Sequence, residues 1–260
     1  MELDVMNSSH ATVPAADRPS GEAGTAPPTK SAAAALAPLL GSLFGGRLPV
    51  RFEFWDGSSL GPRDGLLDLA RLRVKEAGLE EQIEIRVQDY RDVRGERFDA
   101  ISSVGMFEHV GAEKMAAYFS TLHALLADTG RLLNHAISSI GGSRMRRRSF
   151  IGRFVFPDGE LIDVGQVVGA MERAGFEVRD VESLREHYAR TLRAWVANLE
   201  SNWDEAVAEV GPQRARVWHL YMAASANGFD DGGISLHQVL GVRPTPEGQS
   251  AMPPTRSAWL

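Results

Sequence analysis

Two hydrophobic periods organise this chain. Val50 to Trp55 alternates apolar and polar residues as a strand does, and Asp56-Gly57 is a turn signal, so this stretch predicts a hairpin in a small β element. Leu66, Leu69, Ala70, Leu72, Arg73 and Ala77 then keep a helical stripe that Gly78 is placed to end. Beyond it the period switches repeatedly. "IEIRVQDY" (83–90) and "FDAISSVG" (98–105) read as strands. Residues 112–130 read as a helix with Met115, Tyr118, Phe119, Leu122 and Leu125 on its apolar face, and "RLLNHAIS" (131–138) as a third strand. A helix ending near Gly175 and a strand over 176–184 continue the rhythm. The alternation predicts an α/β fold built on an open, mainly parallel sheet, with functional groups at the carboxyl ends of its strands.

The last third departs from that rhythm. Tyr188, Leu192, Trp195 and Leu199 share one helical face, a second helix starts after Pro212, and "ISLHQVLGVRP" (234–244) reads as a closing strand. Two helices inserted before the last strand predict a lid over the sheet edge. Residues 1–30, rich in Pro, Ala, Gly, Ser and Thr, are expected to be disordered, and the Pro-rich tail of 245–260 to be loose.

Composition narrows the function. The chain has 260 residues, 43% of them hydrophobic, enough for one sizeable core. A net charge of −6 argues against a nucleic-acid partner held by bulk charge. With no cysteine, disulfides, thiolate metal sites and a Cys nucleophile are excluded, and no metal site is expected. The polar, acid-containing start does not read as a secretory signal, so a cytoplasmic location is expected. The apolar run from Ala32 is too short and too broken by Pro38 and Gly41 to span a bilayer. It reads equally as a membrane-surface segment or as a short helix capping the first folded part.

Three polar groups fall at comparable places: Glu108 just past the second of these strands, His135 within the third, and Tyr188 at the start of the lid. Asp89 belongs to the same rim. Each has a plainer reading. Glu108 suits the first turn of a helix, His135 a satisfied core imidazole, and Tyr188 a packed helical stripe. His109 is as good a candidate as Glu108 on spacing alone. The run "RMRRRSFIGRF" places Arg144, Arg146, Arg147, Arg148 and Arg153 among aromatic residues such as Phe150. It reads as a solvated loop, or as a site for anionic lipid headgroups with aromatics entering the acyl region. Nucleic acid is the weaker use of the same residues.

Taken together, "VQDYRDVRGERFDAISSVGMFEHVGAEKMAAYF", "LLNHAIS", "FIGRFVFPDGEL", "AMERAGFEVRDVESLREHYARTLRAWVANLE" and "HQVLGVRP" resemble the cyclopropane-fatty-acyl-phospholipid synthases, akin to the mycolic acid cyclopropane synthases. The resemblance runs from about Leu66 to Pro244. It implies a class I, Rossmann-like methyltransferase sheet, with S-adenosyl-L-methionine donating a methyl carbon to the cis double bond of a phospholipid acyl chain. It also implies a bicarbonate ion as base, held by Glu108, His135 and Tyr188, with Ser225 at the position of a family cysteine. Asp89 and Tyr90 match the segment flanking the adenine, and Ser103 to Gly105 the methionine side. The implied partner is an anionic membrane surface, approached from the cytoplasmic side. A homodimer is left open.

One departure bears on activity. The family carries a "DxGCGWG"-like cofactor turn after its first strand, and this chain has none. "GSSLGPRDGLLDLARLRVKEAGL" joins the amino-terminal part directly to the helix that follows the family's second strand. The expectation is therefore a remnant of an amino-terminal domain over 31–65 and an incomplete methyltransferase domain over 66–244. A non-catalytic family member, or one that binds membrane surfaces, is the alternative, and methyl transfer to another lipophilic acceptor a third reading.

Overall fold

A computed structural model describes residues 50–54, 64–141, 149–157 and 159–258. The expected disordered tail, the apolar run from Ala32, the turn at Asp56-Gly57, and Arg144, Arg146, Arg147 and Arg148 lie outside the described residues.

Strand β1 (Val50–Phe54) has a parallel partner among the described residues. It pairs in parallel with β2 (Ile83–Val87), from Val50↔Ile83 to Phe54↔Val87. The helix α1 (Asp64–Glu76) connects them, because a parallel pair needs a crossover longer than any hairpin turn. Gly78, at φ +65°, stops α1 as expected: Leu79 N–H reaches Val74 O and Gly78 N–H reaches Lys75 O. The chain divides into two units between Asp89 and Tyr90, rather than near residue 65. Helix α1 and β2 therefore belong with β1.

The second unit is built on a four-stranded sheet. Its strands are β3 (Phe98–Val104), β4 (Leu126–Ser139), β5 (Glu177–Ser183) and β6 (Ile234–Val242), in the order β3-β4-β6-β5. Only the β3–β4 ladder is parallel; β6 runs antiparallel to both β4 and β5. Three strands thus share a direction and β6 opposes them.

Helix α2 (Met115–Leu125) holds the whole apolar stripe but is shorter than the expected range of 112–130. Leu126 leaves the helical region at ψ 144° and buries itself opposite Phe98, and Thr129 takes a left-handed φ of 64°. The stop is braced by the residue that follows β6. The Arg243 guanidinium donates to the carbonyls of His123 (3.1 Å) and Leu126 (2.8 Å), the position where a helix end favours a cation. The short α3 (Phe150–Phe154) and α4 (Val164–Arg173) follow, α4 being capped by Asp163, whose carboxylate accepts from Gly165 N–H at 2.8 Å.

The lid has three helices rather than two: α5 (Arg185–Ser201), α6 (Trp203–Val210) and α7 (Pro212–Asp230). Asn202 breaks the first because its amide side chain bonds the Asn198 carbonyl at 2.8 Å, closing α5 from below. Arg185 donates to the Phe229 carbonyl and to that of Asp230 (2.9 Å), and Arg193 pairs with Asp230, tying α5 to the end of α7. The tail, expected to be loose, is tied to β5: Arg179 bonds Ser250 Oγ (3.3 Å) and Pro253 O (3.0 Å), and Arg256 pairs with Asp180 at 3.2 Å.

Each sheet face has its own cover. Residues directly opposite in a ladder point the same way, so Leu132, Asn134 and Ala136 share one face with Gly241, Val239 and His237. That face packs on Tyr118, Phe119 and Leu122 of α2 and on Val167, Ala170 and Met171 of α4, the main core. Full burial of each such side chain stabilises by about 1.5–3 kcal/mol. Leu133, His135 and Ile137 share the other face with Leu240, Gln238 and Leu236. Helices α5 and α7 both contact β6.

Candidate active site

Glu108 enters the interior on a one-turn 3₁₀ helix, Phe107–His109, directly after β3. It is 6% exposed, and its carboxyl does not serve a helix terminus. Oε1 instead accepts from the Ile137 N–H of β4 at 2.7 Å. Oε2 is buried with no hydrogen-bond partner among the described residues. Burial raises the pKa from 4.5 to about 7, against the lowering by the Ile137 amide and the residue's own amide. Near neutrality Glu108 is therefore partly protonated.

His135 lies in β4, two residues before the amide that Glu108 holds. It is 3% exposed, and Gln238, its partner across the ladder, meets Nδ1 at 3.1 Å through Nε2. An amide NH₂ can only donate, so Nδ1 accepts and the ring proton sits on Nε2. That Nε2 is buried with no partner among the described residues. Burial pushes the imidazole pKa down to about 4, so the ring is neutral. Among the described residues these two buried polar atoms are not satisfied by any partner, which is uncommon in folded proteins.

The lid supplies the rest. Tyr188 of α5 and Tyr221 of α7 are buried, and the Glu108 carboxyl acts electrostatically on both. Burial lifts the Tyr221 hydroxyl to about 12 although it bonds the Ser225 side chain, and it lifts Tyr188 well above its ordinary value, with Tyr221 contributing. Aromatic rings surround this pair. Tyr221 meets Phe156 edge-on at 5.5 Å and Trp218 at 5.4 Å, and Tyr188 meets Phe229 at 4.9 Å.

The structure therefore brings together Glu108, Tyr188 and Ser225, the last through Tyr221, and sets His135 on the strand that holds Glu108. Of the two adjacent candidates, Glu108 is buried and bonds the Ile137 amide, whereas His109 is half-buried with its ring 5.7 Å from Phe156 at the edge of the aromatic set. The residues matched to the cofactor are spread. Asp89 closes the first unit, and Tyr90 opens the second with its ring edge-on to Tyr118 at 5.6 Å. Ser103 is buried, and its hydroxyl accepts from Tyr118 at 2.6 Å within a network that includes Asn134. Gly105 has a left-handed φ of 63°, and its N–H donates to His135 O at 3.0 Å.

Sequence reading missed Tyr221 and Gln238. Tyr221 had a usable signal, since it lies four residues before Ser225 on one helix face. Gln238 had none, because its role depends on β6 pairing with β4. Among the described residues no group of three His, Asp or Glu side chains forms a metal site, and no helix is long and apolar enough to cross a membrane.

Comparison with known proteins shows the family and the fold. Probable fatty acid methyltransferases from Mycobacterium tuberculosis and Pseudomonas putida are 44% and 43% identical over 184 and 195 residues, 69% and 73% of this chain. The chain spans 42% and 50% of the length of those two relatives. An S-adenosylmethionine-dependent methyltransferase of M. tuberculosis, UmaA, is 30% identical over 70% of this chain and 68% of its own length. In fold, the chain superposes on the cyclopropane synthases CmaA1 (TM-score 0.68, 24% identity, 81% of this chain and 83% of that one) and MmaA2 of M. tuberculosis (0.66, 22%, 83% and 87%). These show a class I methyltransferase fold. The mycolic acid cyclopropane synthetase family model matches residues 66–239, a span that holds Glu108, His135, Tyr188 and Ser225 together, and the chain belongs to that family.

Proposed function

We propose that this chain carries the acceptor side of an S-adenosylmethionine-dependent lipid methyltransferase acting on the double bond of an unsaturated phospholipid acyl chain, with cyclopropane formation as the outcome. The observation that carries the reading is the pair of buried, unpartnered atoms, Glu108 Oε2 and His135 Nε2. The names of the relatives, fatty acid and S-adenosylmethionine-dependent methyltransferases, support the reaction class.

The donor, when bound, supplies an electrophilic methyl group. The chain's own residues have three tasks. The aromatic rings of Phe156, Tyr188, Trp218 and Tyr221 keep water from a cationic carbon and offer it their faces, each such contact worth about 0.5–2 kcal/mol. Protonated Glu108 and the His135 Nε2–H are both donors, a set that fits a small oxyanion such as bicarbonate better than it fits a cation. Glu108 can also hold a proton at Oε2, since its pKa lies near the working pH. Tyr90, Ser103 and Gly105 of the second unit, with Asp89, are the residues that the family resemblance assigns to the donor.

The test is direct. Purified chain, S-adenosylmethionine and vesicles of unsaturated phospholipid are incubated and the lipids weighed by mass spectrometry. The expected product is one methylene heavier, and chemical analysis of the double bond separates a ring from a methyl branch. Glu108→Gln should lower turnover by about 10²-fold or more. Calorimetry showing no donor binding at millimolar concentration would sink the catalytic reading.

One observation favours a second, non-catalytic reading. No glycine-rich cofactor turn precedes Ile83 in the sequence, and β1 pairs directly with β2 in a separate two-stranded sheet. On that reading the chain docks on anionic lipid through its basic aromatic segment. Phe154 is 57% exposed and Arg153 lies 5.4 Å over its ring, a side-chain pair suited to a headgroup boundary. Loss of methyl transfer with vesicle binding retained identifies this case.

A further inference from the structure

The loop that delivers Glu108 is gripped at both ends by one residue. Glu160 lies on the segment between α3 and α4. Its backbone N–H donates to the Glu108 carbonyl at 2.9 Å. Its carboxylate Oε2 accepts from the Ala112 N–H at 2.9 Å, the amide that opens the turn leading into α2. Between these points Gly111 adopts φ 79°, and a Cβ there would stand 3.1 Å from the same Oε2. The gripping segment is itself anchored, because Ser139 N–H donates to Ile162 O at 3.3 Å and Asp163 caps α4.

We propose that Glu160 is the positioning residue of Glu108: by binding residues 108 and 112 at once, it keeps the Glu108 carboxyl inside the buried cluster, seated on the Ile137 amide. This rests on the reading of Glu108 as a working group of the site. Glu160 acts through the loop and does not touch substrate. Glu108 acts electrostatically on Tyr118 of α2, Tyr188 of α5 and Tyr221 of α7, all neutral at physiological pH, and the buried imidazole of His135 on β4 is neutral as well. No neighbouring charge holds the Glu108 carboxyl protonated; burial does, so its titration reports its placement.

The experiment uses the full chain with carboxyl-labelled glutamate and follows Glu108 by carbon NMR against pH, its signal assigned by its loss in Glu108→Gln. Glu160→Gln, whose amide oxygen still accepts from Ala112, should leave the midpoint near the parent's value of about 7. Glu160→Ala and Glu160→Asp, the latter a methylene too short to reach Ala112, should move it down toward the ordinary carboxylate range. An unchanged midpoint in a folded Glu160→Ala chain overturns the proposal. So does a fall in Glu160→Gln as large as in Glu160→Ala, which would make charge rather than grip the cause. If Glu160→Ala does not fold, Glu160→Asp decides by the same criterion. No methyl transfer is needed, so an inactive chain with the expected shifts rejects the functional reading alone, and an active chain without them rejects the grip alone.

Discussion

Glu108 and His135 pull the pH dependence of stability in opposite directions. Between pH 4.5 and about 7 folded Glu108 holds a proton that the unfolded chain has lost. Its contribution is fully present below pH 4.5 and declines as pH rises toward 7, by about 3 kcal/mol in all. His135 refuses, down to about pH 4, a proton that the unfolded chain takes from 6.5. Its contribution is fully present above pH 6.5 and declines as pH falls toward 4. Over pH 4.5–6.5 the two slopes oppose each other. Relative to the parent, Glu108→Gln should therefore gain stability with rising pH, and His135→Gln should lose it. Urea unfolding at several pH values reads this, and variant curves parallel to the parent would contradict it. A second residue-scale prediction concerns Gly241, where an added Cβ would stand 2.6 Å from Met171 Cε and 3.2 Å from Phe176. Gly241→Ala should overpack the core at a cost of about 1–3 kcal/mol, seen as a lowered Tm. Glu108, His135 and Tyr188 stand out in the sequence through strand positions and family motifs. The unsatisfied atoms of Glu108 and His135 do not, since burial and partners arise only on folding.

At the scale of elements, period and glycine signals located the strands, α1 and α4 within a few residues. Failures came where a distant group overrode local preference. The α2 helix was expected to run to residue 130, yet Arg243 bonds its last carbonyls from more than a hundred residues away. The lid breaks at Asn202 because one amide side chain caps its own helix. Val50 to Trp55 promised a hairpin, but its strand takes a parallel partner beyond α1. The basic aromatic element carries its own prediction. Arg153 and Phe154 on α3 follow Arg144, Arg146, Arg147 and Arg148 in sequence, and each basic residue near anionic lipid contributes about 1 kcal/mol. Co-sedimentation with anionic vesicles should weaken with salt and with Arg→Ala changes in this run. Phe154→Ala should weaken it further without altering the salt slope. Binding insensitive to both would remove the membrane reading.

For the whole molecule, sheet order sets where stability resides. Strand β4 is bonded on both sides over Arg131–His135, whereas β3 and β5 are the outer strands of this sheet. Amide exchange should be slowest along the β4–β6 ladder and faster at outward-facing amides of β3. Protection of β3 equal to that of β4 would mean that another strand covers it. The α/β class was legible from the alternation of periods, but the division at Asp89–Tyr90 was not. It depends on which strands pair, and β1 and β2 are locally indistinguishable from strands of the larger sheet.

The central place of β6 has a consequence for synthesis. Strands β3, β4 and β5 leave the ribosome first, but β4 and β5 are not neighbours; β6, latest of the four in sequence, lies between them. His135 finds Gln238 only after the intervening lid helices have been made. Until then the nascent chain leaves the largely buried β4 without its β6 partner and a strand-wide gap from β5, the kind of surface that recruits chaperones or aggregates. The site is therefore assembled late in biosynthesis, when the strand that carries Gln238 closes the sheet.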